Sequence, residues 1–461
     1  MNIFKRSAGP IRLGVMLVLG GFAGCATYHA QPLPEHADLH HSLVELRHTV
    51  NTRGVEGPAS SVDLSKPLDL DDIGLLALLN DPDLRAEQGT LAAAQAQAEQ
   101  SSLLPNPSIG LGYAALLGGP GTSDAYSASI SQDVAALVTY HARQQSAQAQ
   151  VEQVRADLLW QEWQVAQKAR LLALDLYWER RSIKLAEQLA FTLRSDVDRV
   201  HAAMMDGNLD RSALAPLQAA QASAEQSLSA MRRQELKDWQ SLDVLLGLDP
   251  SVRIAIAKPR LAPLPTHVED LIDNLPTRRP DLIALQLGYR SSEQGVRAAI
   301  LGQFPALVLG GAWSSDTSGV RSGGPTVTFD LPLFDHNQAK IAQARATREV
   351  LHDQYQFRLD AAESSIRVLL AESKQAAVEL DRADRASIRA QADVKAAGDA
   401  YAQGNLDARA LLDYETAAMQ REQESIDLQR SLGELHVALT VELGLGLPSV
   451  LLAPPATVTA P

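Results

Sequence analysis

The chain has 461 residues, a formal net charge of −14, 46% hydrophobic residues and only 5% aromatics. A balance this acidic lacks the basic footprint that nucleic acid requires, which excludes a nucleic-acid partner. Abundant alanine suits long helices packed through small side chains, and the single cysteine, Cys25, rules out an internal disulfide framework.

Residues 1–24 read as an export signal. Lys5, Arg6 and Arg12 form its positive segment, and Leu13 to Phe22 an apolar stretch too short to cross a bilayer. Phe22-Ala23-Gly24 before Cys25 resembles a bacterial lipobox, whose cysteine is lipidated and becomes the first residue. A plain secretory signal, with Cys25 incidental, is the alternative. Residues 25–67 form a polar extended arm carrying His29, His36, His40, His41 and His48. These histidines read as solvated, with metal capture as the alternative, and His36 and His40 would share a helix face. No later apolar run reaches the roughly 18 residues of a spanning helix.

A first helix opens at Leu68-Asp69-Leu70-Asp71-Asp72, with acids favoured by the dipole in its first turn. A second runs from Pro82 to Leu104 and stops at Pro105-Asn106-Pro107. Two alternating segments follow, Ser108 to Leu117 and Tyr126 to Asp133, and two more at Leu307–Trp313 and Thr326–Leu333. Each has one apolar face and one small or polar face, and about 10 residues suffice for a tilted strand to span a bilayer. Gly118-Gly119-Pro120-Gly121 and Gly319 to Gly324 are the joining turns. Four strands cannot close a barrel, so a membrane role demands an oligomer.

No proline lies between Pro120 and Pro216, nor between Pro332 and Pro448. Both stretches carry apolar residues at helical spacing and predict hairpins that reverse near Trp178–Leu185 and Ser373–Leu380. Gly207-Asn208-Leu209-Asp210 and Gly404-Asn405-Leu406-Asp407 interrupt the returning helices as structural turns, with Asp210 and Asp407 as caps. These tetrapeptides stand 197 positions apart, and Pro82-Asp83-Leu84 recurs as Pro280-Asp281-Leu282. The chain is therefore a tandem duplication: repeats at 68–265 and 266–447, then a flexible tail at 448–461. The fold class is mainly α with a small β part. No catalytic, cofactor or metal motif is present, so neither enzyme activity nor a cofactor is expected.

Leu331-Pro332-Leu333-Phe334-Asp335, continuing through Asn337-Gln338 from strand into helix, resembles the TolC-type outer-membrane efflux factors. So do the paired Gly-Asn-Leu-Asp turns, Leu103-Leu104-Pro105-Asn106-Pro107 and Asn80-Asp81-Pro82-Asp83-Leu84. The similarity covers nearly all of the mature chain and is strongest to the lipid-anchored branch with metal- and drug-efflux components. Ser131-Gln132-Asp133-Val134 departs from its counterpart Asp330-Leu331-Pro332-Leu333. The resemblance implies a homotrimer in outer-membrane lipid, with a shared 12-stranded β-barrel above a helical periplasmic tunnel. It implies Gly-Asn turns in an equatorial belt, and helix reversals at a periplasmic end that meets an adaptor and an inner-membrane pump of the RND type. Glu379, Asp381 and Asp384, near the second reversal, read as a solvated helix face or as a carboxylate ring at a pore mouth. The implied function is passive exit of metal cations or small toxic compounds. A type I protein-secretion duct and a non-porous coiled-coil lipoprotein are the alternatives.

Overall fold

The computed structural model describes residues 28–48, 62–206, 214–261, 263, 265–305 and 307–446. Cys25, the Gly207–Asp210 turn and the 448–461 tail lie outside the described residues. Contacts divide the chain at Leu39. Residues 28–39 are exposed and contain no helix or strand. The unit from His40 onward carries every helix and strand named below.

Its elements are α1 (Leu70–Asn80), α2 (Pro82–Ser101), β1 (Ser108–Ala114), β2 (Ala125–Asp133), α3 (Ala135–Met205) and α4 (Leu214–Leu246). Then come α5 (Val268–Asp273), α6 (Leu275–Arg278), α7 (Pro280–Leu301), β3 (Leu307–Ser315), β4 (Arg321–Phe329), α8 (Gln338–Ala402) and α9 (Ala408–Glu442). The series helix, two strands, long helix, half-length helix thus occurs twice in the same order.

Local chemistry sets the helix starts. Asp69 accepts from the Asp72 backbone N–H at 2.8 Å, and the Asp72 carboxylate accepts from that of Asp69, closing a capping box on α1. Asp81 caps α2 by accepting from the N–H groups of Asp83 and Leu84, with Pro82 in the first turn where no donor is needed.

The expected mid-helix reversals are corrected here. Trp178–Leu185 and Ser373–Leu380 lie inside unbroken helices of 71 and 65 residues, α3 and α8. At about 1.5 Å per residue these extend roughly 105 and 100 Å. Periodicity locates a helical face but not its reversal; only a residue that breaks the hydrogen-bond ladder does that. The second long helix ends at Gly404, where φ is +76°, a conformation that costs glycine nothing.

The half-length helices α4 and α9 return only as far as the middle of their long partners. Leu242 and Leu246 of α4 pack with Ala169, Ala173 and Leu176 of α3, together with Ile73 and Leu76 of α1. Leu439 of α9 and Leu443 at its C-cap pack with Ala362 and Ile366 of α8, and with Ile272, Leu275 and Leu282. Apolar burial, at about 25 cal/mol per Å², is therefore concentrated halfway along the long helices. Helices α3 and α9 approach so closely that a side chain at Gly433 would lie 2.8 Å from a Leu174 methyl.

Further expectations change. The arm is not extended throughout: Leu46 and Val62 are buried in the α1–α3–α4 core, and Arg47 N–H donates to Asn80 Oδ1 at 2.9 Å. No helix joins His36 to His40; instead His40 forms a parallel bridge with Leu248. The fourth strand starts at Arg321, not Thr326, and ends at Phe329, before Leu331 and Leu333. The glycines read as a turn are paired within it, Gly323 with Trp313 and Gly324 with Ala312. A lone strand carries no sign that the neighbouring Trp313 ring lies over Gly323, 3.3 Å from where a Cβ would stand. The first strand stops at Ala114, short of Leu117, and Leu116 N–H turns aside to Asp124 Oδ1.

Candidate membrane sheet and helical tip

The four strands form one antiparallel sheet in the order β1-β2-β3-β4, with β1 and β4 as edges. Register pairs Ile109 with Ile130, Leu111 with Ala128 and Tyr113 with Tyr126. Across the sheet it pairs Ala128 with Trp313, Leu309 with Val327 and Leu307 with Phe329. Residues directly opposite share a face, so these side chains form one apolar surface. That surface is exposed, with Leu111 at 80% and Ile109 at 72% of full accessibility. The other face holds Ser127, Ser129, Ser131, Ser314, Ser322, Thr326, Thr328 and glycines. Its hydroxyls bond across strands, Ser108 with Ser131 and Ser314 with Ser322, both at 2.9 Å.

The Pro332–Gln338 motif is the joint between sheet and helices. Asn337 sits at the N-cap of α8 with φ +61°, and its side-chain N–H donates to Ala299 O at the end of α7. Asp335 accepts from Asn337 N–H at 2.8 Å, and Gln338 accepts from His336 N–H at 2.7 Å. Leu333 and Phe334 remain exposed, Phe334 at 91%, and continue the apolar surface past the strand end. The first copy solves the same problem with other residues. Asp133 Oδ1 accepts from Ala135 N–H, and Tyr140 OH donates to Ser102 O at the end of α2.

Gly404-Asn405-Leu406-Asp407 makes the hairpin turn between α8 and α9. Asn405 N–H bonds to Ala400 O, and Asp407 accepts from Ala410 N–H at 2.7 Å to cap α9. This corrects the equatorial placement: the turn lies some 40 residues from Ala362 in the central core, about 60 Å along α8. Asp407→Ala should cost about 1 kcal/mol at this end, seen as faster amide exchange in the first turn of α9 with the rest unchanged.

Glu379, Asp381 and Asp384 are likewise not at a reversal. They lie inside α8, with Asp381 some 23 residues before Gly404. Glu379 accepts from Gln375, Asp381 pairs with Arg385 at 2.6 Å, and Asp384 accepts from Ser425 Oγ of α9. Their role as a terminal ring thereby loses its geometric basis. The arm histidines disperse: His41 faces Asp249 at 3.7 Å, while His48 Nδ1 lies 2.9 Å from Leu46 O.

A groove of about 1100 Å³ runs between the α3–α4 and α8–α9 hairpins close to the Gly404 turn, lined by Leu193, Val200, Leu217, Tyr401 and Leu412. One buried cluster had no motif to announce it. Arg279 forks onto both Asp281 oxygens at 3.0 and 2.8 Å, bonds Glu442 of α9 and stacks 4.8 Å above Trp160. Arg358 of α8 adds a 3.3 Å contact to Asp281. The only sequence sign was an arginine preceding a Pro-Asp helix start.

Residues 271–445 match the outer membrane efflux protein family. That match lies in the second of the two repeats. Over some four-fifths of the chain the fold is that of solved outer-membrane channels. Its structure aligns with that of the CmeC outer membrane channel of Campylobacter jejuni at a TM-score of 0.69 and 16% identity, covering 82% of this chain and 86% of that one. For the outer membrane protein VceC of Vibrio cholerae the TM-score is 0.66 at 19% identity, over 81% of this chain and 96% of that one. The curated relative outer membrane protein OprJ of Pseudomonas aeruginosa is 28% identical over 210 residues. That match spans 42% of either protein.

Proposed function

We propose that this chain is the outer-membrane duct of a tripartite efflux system, a homotrimer through which metal cations or small toxic compounds leave passively. The sheet carries the reading: one exposed apolar face, one hydroxyl-lined face and two unpaired edges. An open edge in hydrocarbon costs several kcal/mol per unpaired backbone group, so the sheet enters lipid only as part of a closed barrel. Nine residues tilted by about 40° rise roughly 23 Å, which matches the apolar band of about 25 Å on such barrels. Two copies would supply eight strands, whose interior side chains fill; three supply twelve and leave a bore.

The helices support the same assembly. Val350, Phe357 and Val378 of α8 stand whole heptads apart, with Val368 and Ile388 on the adjoining positions, and all are about half exposed or more. Such a stripe is a coiled-coil seam awaiting a neighbouring helix. In the trimer the hairpin turns form the periplasmic end that meets an adaptor and an RND-type inner-membrane pump, and Cys25 carries the lipid anchor. Catalysis and cofactors have no part in this reading. Purified protein added to planar bilayers is expected to give stepwise conductance. Silent bilayers from a preparation that stays monomeric would return the non-porous lipoprotein.

A further inference from the structure

Halfway along α3, three carboxyl groups surround one guanidinium and a fourth lies against one of the three. Asp175 and Glu179 of α3 are both buried. Arg430 of α9 bonds Asp175 through Nε at 2.9 Å and Glu434 at 2.8 Å, and reaches Glu179 at 3.4 Å. The carboxyl of Asp175 also meets that of Glu434, and the carboxyl of Glu179 meets that of Asp238 on α4. Glu179 Oε2 is buried with no donor among the described residues. Two carboxyl groups bond each other only when one is protonated. Gln234 donates to both Asp238 oxygens, at 3.0 and 3.2 Å, whereas Glu179 Oε2 has no such donor, so the shared proton belongs on Glu179.

We propose that Glu179, and Asp175 in part, hold protons at neutral pH and act as a proton-operated clamp where α3 meets α4 and α9, one that loosens when the protons leave. Burial drives the retention: it pushes Glu179 up to about 8, with Asp238 adding to the rise, and Asp175 up to about 7, against the opposing pull of Arg430. Asp427 on α9 feels the charge of Arg430, Gln423 bonds both Asp427 and Ser182 of α3, and Arg180 of α3 is paired with Glu235 of α4 at 3.5 Å. Burial raises Asp427 as well.

The sign follows from linkage. A carboxyl raised in the folded state binds more protons there than in the unfolded chain. Stability therefore falls as pH rises from about 4 through about 8 and levels off above. Neither pair depends on the duct reading, because both lie within one chain.

The test compares the wild type with Asp175→Asn/Glu179→Gln, a double variant that keeps the shapes and the donors. Amide exchange in α4 is followed between pH 6.5 and 9 and corrected for intrinsic exchange rates. In the wild type, protection should fall by on the order of 100-fold across that range, since each titrating group contributes up to tenfold per pH unit. The variant should lose most of that dependence. Infrared spectra supply a readout independent of stability: a protonated-carboxyl band present at pH 7 in the wild type, bleached by pH 9, and absent in the variant. A wild type without that band, or a variant that keeps the full pH dependence, overturns the proposal.

Discussion

Leu111→Arg is expected to abolish the membrane-inserted oligomer while leaving the helical signal in circular dichroism intact. Leu111 stands mid-strand on the exposed apolar face, opposite Ala128. A guanidinium at the midplane of a lipid-facing barrel surface costs about 2–4 kcal/mol per copy. If three copies share the barrel, the cost recurs three times in one assembly. Thr328→Lys, on the hydroxyl face opposite Val308, should assemble normally and shift conductance toward anions. Electrophoresis without heating, followed by bilayer recording, reads both outcomes. Normal oligomers from Leu111→Arg together with failed assembly of Thr328→Lys would invert the two faces and end the barrel assignment.

Arg279→Met is expected to give the largest loss of stability from a single side chain. It leaves the buried Asp281 carboxylate facing only the half-exposed Arg358, and strips Glu442 of its partner. Removing one member of a buried ion pair costs about 3–5 kcal/mol, because the remaining charge stays desolvated. Denaturant unfolding should show this as a lower midpoint at unchanged slope. The triple change Arg279→Met/Asp281→Asn/Glu442→Gln should recover part of the loss, since no buried charge is then left unpaired. A loss below about 1 kcal/mol for Arg279→Met would mean that water reaches the site.

The strands were legible because alternation is a property of the strand itself: Ile109, Leu111 and Tyr113 between glycines and serines declare two faces without reference to any neighbour. Their limits were less legible. Gly323 and Gly324 look like a turn in isolation and become strand only because Trp313 and Ala312 lie opposite. The helical character of 135–205 and 338–402 was equally plain, from composition, spacing and the missing prolines. Where those helices turned was misread, since the residues near Trp178 and Ser373 contain nothing that breaks a ladder. The breaker stood at Gly404, and its rank as the end of the hairpin, in place of a belt position, changes what the turn is for.

By itself the sequence determined the class of the elements, their duplication, the two-faced strands and the joint at Pro332–Gln338, all of which follow from local propensity and period. Tertiary structure alone decided which distant residues share a place. Arg279 meets Glu442, Arg430 meets Asp175 and Glu179, and the half-length helices stop level with the buried middle of the long ones. The reason is physical: a period records which way a side chain points, whereas burial and charge pairing depend on what the folded chain brings opposite it.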